Sequence, residues 1–492
     1  MATQMKLIYC CGALVLLILV PSCCKGGHIL VLPIEGSHWI NMDILIQALH
    51  SRGHSLTVMR PSNSWYIKDN FQLQHIHSSS EEELLSELPL CFAWDVQALN
   101  NTKFDLVLTD PCWGSGALLA KHLSIPLVFN VRWIISEEGQ FGITPSPLSY
   151  IPITGSGYTD KMTFFQRVKN NILYYIIRMN DMLVTKQVYQ PLCEQYLGSD
   201  CDFDHLKIDA GIWLMRTDFV FDYPRPTVPN AMYMGGFHCK PAEPLSDYME
   251  EFVQSSAEHR VIIMSLGTFV PELPDNLANE IAAAFAKLPQ NVIWSYRGPK
   301  PSTLGNNTLL VDWRPQKDLL GDPKTKLFVT HGGTNGIQEA IYYGAPVVGL
   351  PLFFDQYDNL LHLQVKGGAK ILTLSTVDKD DNFLKAIQEV LNKPSYRQNI
   401  QRLSRLHRDQ PMKLIDTAVF WIEYVMRHKG AGLLKAQCYR MPWYVYHSVV
   451  VVLFLTGAVM LMLLATAMFI RCLWKSVCGC KVKLEVHRDH TH

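Results

Sequence analysis

The chain has 492 residues, with 44 Lys+Arg against 44 Asp+Glu and a formal net charge of zero. That length accommodates two domains with further segments. The charge balance leaves no basic field for a phosphate backbone, which excludes nucleic acid as a partner.

Lys6 precedes an apolar run at 7–20, and small residues follow at 22–27. Fourteen apolar residues are too few to span a bilayer comfortably, so residues 1–26 read as a signal peptide. Residues 28–33 (HILVLP) predict a buried strand and 34–39 a loop. Ile40, Ile44, Leu45, Ala48 and Leu49 then mark an amphipathic helix. Gly53 ends it, and 54–59, 105–109 and 126–130 predict further strands. Residues 27–238 are therefore expected to form a first doubly wound α/β domain. Within it, 162–189 is apolar and aromatic, with Arg167, Lys169, Arg178 and Lys186 interspersed. Helices covering a cleft are expected there, with a membrane-surface role as the alternative.

Residues 239–260 form a linker, being rich in proline and charge at 238–250. A second α/β domain is expected over 261–440, with strands at 261–265, 292–296, 309–313, 326–330 and 346–350. A helix is expected at 277–288 and helical structure over 380–427. Residues 449–470 carry no charge. As a helix they extend about 33 Å, the depth of a bilayer core. Trp443, Tyr444 and Tyr446 flank one edge and Trp474 the other, as interfacial aromatics do. A transmembrane helix over 447–470 with a cytosolic tail at 471–492 follows, because the signal peptide carries the body across. The fold class is α/β: two Rossmann-like domains plus a C-terminal transmembrane helix.

Of thirteen cysteines, six lie in the body: Cys91, Cys112, Cys193, Cys201, Cys239 and Cys438. Their spacing fits no zinc motif, and an oxidising lumen allows some to pair. Cys472, Cys478 and Cys480 of the tail are palmitoylation candidates or free thiols. Asn100 and Asn306 head glycosylation sequons.

The densest information lies in 313–356, WRPQKDLLGDPKTKLFVTHGGTNGIQEAIYYGAPVVGLPLFFDQ. A strand at 326–330 runs directly into His331-Gly332-Gly333, where two glycines let the backbone turn and approach a ligand closely. Thr334 or Asn335 is expected to cap a helix running from about Gly336 to residue 343. Its N-terminus suits phosphate. Asn335 and Glu339, four apart, share a helix face, and a carboxylate there suits ribose hydroxyls. Asp355 and Gln356 follow the next strand, at the carboxyl end where open α/β sheets bind ligands.

The pattern Trp-x-Pro-Gln, Thr-His-Gly-Gly, Glu eight after the His, then Asp-Gln resembles the donor-site signature of the UDP-glycosyltransferases, the glucuronosyltransferase family. The resemblance implies a GT-B architecture and a role for each position. Trp313 is expected to stack on uracil and Gln316 to bond the uridine. His331, Gly332 and Asn335 are expected to hold the diphosphate, with Gly333 and Gly336 shaping the turn. Glu339 is assigned the ribose, and Asp355 and Gln356 the transferred sugar. Ser265, Gly267 and Thr268 form a second tight turn that the family also uses for the diphosphate. The family's catalytic pair matches His38 (GSHW) and Asp110 (TDP).

In chemical terms His38 is the candidate general base, oriented by Asp110, as in a Ser-His-Asp triad without the serine. Attack opposite the diphosphate inverts the anomeric centre. Trp39 and the aromatics of 141–175 are expected to line an apolar acceptor site. No Asp-x-Asp motif accompanies the diphosphate site, so no metal and no cofactor are expected, UDP-glucuronate being a co-substrate. The partners expected are a small lipophilic acceptor, the UDP-sugar, a membrane, and other transferase subunits in a homo- or hetero-oligomer. The expected location is the endoplasmic reticulum membrane, single-pass type I. Another UDP-hexose donor, or a truncated regulatory subunit of weak activity, are the alternatives. Two departures stand out. Only 72 residues separate His38 from Asp110, with 71–101 unlike the family, and the terminal HRDHTH carries no dilysine signal.

Overall fold

The computed structural model describes residues 26–61, 64, 67, 74–78, 99, 101–134, 137–267, 270, 272–312, 315–377 and 381–489. The signal segment, Asn100, Thr268, Trp313 and nearly all of 79–101 therefore lie outside the described residues.

Seven parallel strands form the first sheet: β1 (His28–Leu32), β2 (Ser55–Pro61), β3 (Gln74–Ser78), β4 (Leu106–Thr109), β5 (Leu127–Val131), β6 (Ile212–Met215) and β7 (Ala231–Tyr233), in the order 3-2-1-4-5-6-7. Six more form the second: β8 (Val261–Ser265), β9 (Asn291–Ser295), β10 (Thr308–Val311), β11 (Thr325–Thr330), β12 (Val347–Gly349) and β13 (Ala369–Ile371), in the order 10-9-8-11-12-13. Both orders reverse direction beside their first strand, between β1 and β4 and between β8 and β11. That is the Rossmann arrangement, in which ligands bind outside the carboxyl ends of the strands at the switch.

The strands are apolar because helices cover both faces of each sheet. In β8 the residues alternate: Ile262 and Met264 join one core, and Val261 and Ile263 join the core on the opposite face. The first core packs Ile29, Val31 and Leu108 under α1 (Ser37–Ser51), through Met42, Leu45, Ile46 and Leu49.

Several sequence expectations are corrected. His38 lies in the first turn of α1, not in a loop, because Gly36 takes a positive φ of 69° and completes the turn by Ser37. The 239–260 linker contains a helix, Asp247–Ser255, whose Met249 and Val253 are buried in the second core. Strands β3, β6, β7 and β13 were not foreseen. Residues 162–189 form one long helix, α2 (Phe164–Val184), ending in a π-helical turn, Thr185–Tyr189. The helix α3 (Leu414–His428), assigned from sequence to the second domain, returns to the first. Its Ala418, Val419, Ile422 and Val425 pack beside Leu45 and Ile212.

Cys193 and Cys201 are bridged, while Cys112, Cys239 and Cys438 are free thiols. Asn306 is exposed. Residues 436–492 form a separate compact unit. Within it Val449–Ser476 has a mean hydropathy of 2.7 and is long and apolar enough to cross a membrane.

Candidate active site

Strands β1 and β4 are hydrogen-bonded neighbours, with Leu32 opposite Thr109. The residues that follow them therefore emerge side by side. His38 Nδ1 lies 2.7 Å from Asp110 Oδ2 across 72 residues of sequence. The Asp110 side chain is 1% exposed and that of His38 23%. Burial alone raises the Asp110 carboxyl. The His38 ring, the hydrogen bond it gives, the Arg216 guanidinium and the Cys112 N–H outweigh burial and hold Asp110 below the ordinary carboxylate range. Asp110 is therefore an anion, and it fixes the proton on Nδ1 and leaves Nε2 as the basic nitrogen.

Arg216 was missed from sequence. It directly follows β6 and is buried, and its Nη2 lies 3.0 Å from both Asp110 Oδ2 and His38 Nδ1. With Nδ1 protonated, only the carboxylate can accept from Arg216. Asp110 Oδ1 accepts from the Cys112 N–H at 3.0 Å. Burial first, and then the Asp110 charge, push the Cys112 thiol up to about 12. It remains protonated and is no nucleophile.

The second switch point supplies the donor residues. Ser265 Oγ accepts from the Gly267 N–H at 3.2 Å and closes the turn after β8. The His331 ring lies against that turn: a Cβ on Gly267 would sit 2.8 Å from it. After β11 the chain turns through Gly332 at a φ of +91°. A Cβ there would lie 2.6 Å from the carbonyl oxygen of Gln356, so only glycine fits.

The helix that follows, α4 (Thr334–Tyr343), begins two residues earlier than expected. Gly333 is its N-cap and provides no side-chain hydrogen bond. Thr334 and Asn335 are helical residues, not caps, because their side chains are engaged across the cleft. Thr334 Oγ1 accepts from Arg132 Nε at 2.8 Å, and Asn335 Oδ1 accepts from Asn41 Nδ2 at 2.9 Å. The first-turn N–H groups point toward the cleft end of the sheet, where an anion is favoured.

Gln316 Nε2 donates to Glu339 Oε2, and His238 Nε2 lies 3.5 Å from Glu339 Oε1. The structure thus unites Gln316 with Glu339, the two residues assigned to the nucleoside, whereas Asn335 turns toward the first half. The helix α5 (Gln356–Val365) starts at Asp355. Asp355 Oδ2 receives Arg132 Nη2 at 2.6 Å and Asn359 Nδ2 at 2.8 Å. Gln356 Oε1 accepts from the N–H groups of Leu352 and Phe353 at 2.8 and 3.1 Å, so it also shapes its own turn. Beside this pair, Asp358 accepts from Gly155 N at 2.6 Å and Gly157 N at 3.0 Å, anchoring a strap from the first half. Burial raises the Asp358 carboxyl to about 6, against the pull of those two N–H groups.

Arg132, Arg216, Asn41, Asn359 and Asp358 were not singled out from sequence. The first was findable, because Arg132 directly follows the predicted strand 126–130 and its extension to Val131. Asp110, Arg132 and Arg216 are each the first residue beyond their strands, β4, β5 and β6. The arrangement is a histidine held by a buried carboxylate on one side of a cleft, with a helix N-terminus lacking a side-chain cap and a set of polar side chains on the other.

The family model described as "UDP-glucoronosyl and UDP-glucosyl transferase" matches residues 27–93 and 90–484. Its two stretches meet inside the divergent segment 71–101. UDP-glucuronosyltransferase 2A2 of Mus musculus is 41% identical over 484 residues, covering 88% of this chain and 91% of its own. UDP-glucuronosyltransferase 2B13 of Oryctolagus cuniculus is 39% identical over 515 residues, covering 94% and 96%. Among solved structures, the glycosyltransferase of kitacinnamycin superposes with a TM-score of 0.59 at 17% identity, covering 81% of this chain and 99% of its own. The calicheamicin glycosyltransferase CalG4 gives 0.57 at 17%, covering 82% and 99%. These two establish the shared GT-B fold. The chain is a glycosyltransferase and belongs to the UDP-glucuronosyl- and UDP-glucosyltransferase family.

Proposed function

We propose that the protein transfers glucuronic acid from UDP-glucuronate to a hydroxyl of small lipophilic acceptors, with inversion. His38 Nε2 takes the acceptor proton as the oxygen attacks the anomeric carbon, and Asp110 stabilises the imidazolium that forms. The departing diphosphate is stabilised by the N-terminus of α4 and the His331–Gly333 turn, with the Ser265–Gly267 turn beside it. Gln316 and Glu339 bind the nucleoside, with Trp313 stacking on the base. Asp355 and Gln356 orient the transferred sugar, and the Arg132 ion pair holds Asp355 in place from the first half. The body lies in the lumen of the endoplasmic reticulum, anchored by the span at 449–476, with Asn100 and Asn306 glycosylated. No metal is required.

The observation that carries this reading is the 2.7 Å contact between His38 and Asp110 at the first switch point. It is closed although the intervening segment departs from the family. The splitting of the family match into two stretches that overlap at 90–93 favours a second reading, a weak regulatory partner of other transferases. Membrane fractions incubated with labelled UDP-glucuronate and a panel of phenols and steroids separate the two. Conjugates that vanish in both His38→Ala and Asp355→Ala support catalysis. UDP-sugar binding without turnover on any acceptor supports the regulatory reading. Conjugates formed only from UDP-glucose or UDP-N-acetylglucosamine reassign the donor.

A further inference from the structure

Helix α2 has two faces with opposite requirements. Toward the body it presents Asn170 and Asp181, 0% and 3% exposed, with Tyr174 and Ile177 packed against Phe141, Ile151 and Tyr223. Away from the body, Phe165, Ile172, Tyr175, Ile176, Met179 and Leu183 are each 55–75% exposed. At 3.6 residues per turn these six fall within roughly a third of the helix circumference. Among the described residues, no other helix of the body before residue 436 exposes more than two large apolar side chains. A continuous apolar stripe of this extent marks a surface that meets an apolar phase.

The charges bordering the stripe indicate which phase. Lys169 lies along one margin, and Arg167 lies between the stripe and the body-facing side, both exposed. The acid of the helix, Asp181, is turned inward to Arg178 and Lys207. Basic borders around an apolar face match an anionic headgroup layer over acyl chains. The same chain carries Val449–Ser476, long and apolar enough to cross a membrane. A tether of that kind keeps a bilayer within reach of the body at high effective concentration.

We propose that the outer face of α2 lies in the interface of a lipid bilayer as a second membrane contact, separate from the C-terminal span. The contact communicates with the cleft through Asn170. Its Oδ1 accepts from Ile153 N at 2.7 Å, and its Nδ2 donates to the carbonyls of Leu148 and Ile151 at 3.0 and 2.9 Å. Those residues begin the strap whose Gly155 and Gly157 N–H groups hold Asp358, three residues from Asp355. The bilayer seat, the strap and the sugar end of the cleft are thus joined by buried hydrogen bonds. The bilayer contact itself holds whatever sugar the enzyme transfers.

The test uses the full chain in vesicles of phosphatidylcholine with a minority of phosphatidylserine, doped with a phospholipid carrying a photoactivatable diazirine in its acyl chain. The expected result is lipid adducts on peptides from 164–184 as well as from 449–476. Peptides bearing Tyr248 and Leu406, apolar residues 62% and 52% exposed elsewhere on the body, remain unlabelled. The triple variant Ile172→Gln, Tyr175→Gln, Met179→Gln should lose roughly tenfold of the 164–184 adducts while the span stays labelled and the melting temperature holds. Arg167→Glu with Lys169→Glu, at two exposed positions that tolerate the change, should lower the adducts severalfold on anionic vesicles and little on neutral ones. Labelling confined to the span overturns the proposal. So do copy-to-copy cross-links through 164–184 without lipid adducts, which assign the face to a second copy of the chain.

Discussion

At the scale of single residues, the first half places Asp110, Arg132 and Arg216 one residue beyond their strands, with Asp110 and Arg216 against the His38 ring. On the proposed function, replacing His38 by alanine removes the proton acceptor and leaves the donor contacts intact. Turnover should fall by about 10²–10⁴-fold while UDP affinity, measured calorimetrically, stays within about a factor of three. Arg216 acts differently, because its guanidinium compensates a carboxylate that is 1% exposed. Arg216→Met leaves that buried charge with one fewer partner. The expected cost is about 3 kcal/mol of folding stability, seen as a lower melting temperature. Arg216→Lys should recover part of it, since a point charge replaces a planar fork. Neither arginine's pairing was evident from sequence, because the partners are remote: Asp110 is 106 positions from Arg216, and Asp355 is 223 from Arg132. The motif residues were legible because each sits beside a glycine turn or a strand end within a compact block. What the motif did not reveal is that Gln356 and Thr334 also serve the protein's own geometry.

Among the elements, the strap at 152–158 is the one most sensitive to pH. Asp358 accepts two backbone N–H groups, one on each oxygen. Its folded pKa, raised by burial to about 6, exceeds the ordinary value of 3.8. Folding therefore takes up a proton between those values. The stability this group contributes is fully present below pH ~4 and is lost as pH rises through ~6. Asp358→Asn should remove that slope. Relative to wild type, the variant gains about 1 kcal/mol between pH 5 and pH 7.5 in chemical denaturation. His362 opposes this trend. Burial lowers it to about 4, so its contribution is present above the ordinary 6.5 and lost as pH falls through 4. The two slopes partly cancel in wild type, and Asp358→Asn exposes the histidine's.

Across the whole molecule, the strands of both sheets that carry the site were legible as short apolar runs between glycine and proline signals. The strands β3, β6, β7 and β13 were not: Gln74–Ser78 (QHIHS) is polar at every position but Ile76, and three- and four-residue runs such as Ile212–Met215 look the same in a strand or a buried helix. The return of α3 to the first half was also invisible, since an amphipathic pattern declares an apolar face but not the core that receives it. The two halves are nonetheless stitched in several places. Gln338, in the middle of α4, donates to the Arg216 carbonyl at 2.8 Å and accepts from Gly236 N at 2.9 Å. Truncating Ile422 of α3 to alanine should cost about 2–5 kcal/mol. Hydrogen exchange should locate the loosening in β1 and α1 and spare β8–β13, because Ile422 packs in the first core.

The direct pairing of β1 with β4 has a consequence for how such an enzyme can diversify. Adjacent strands are held about 4.8 Å apart by their own ladder, whatever chain connects them. The distance from His38 to Asp110 is therefore set by backbone registry and is indifferent to the length of the excursion between Pro61 and Phe104. That excursion contributes only the edge strand β3 to the sheet, so exchanging it should leave the β1–β4 pairing in place. Grafting the corresponding stretch of a 2B relative between those two points should change which hydroxyl compounds are accepted, while the dyad distance and the affinity for UDP stay where they are.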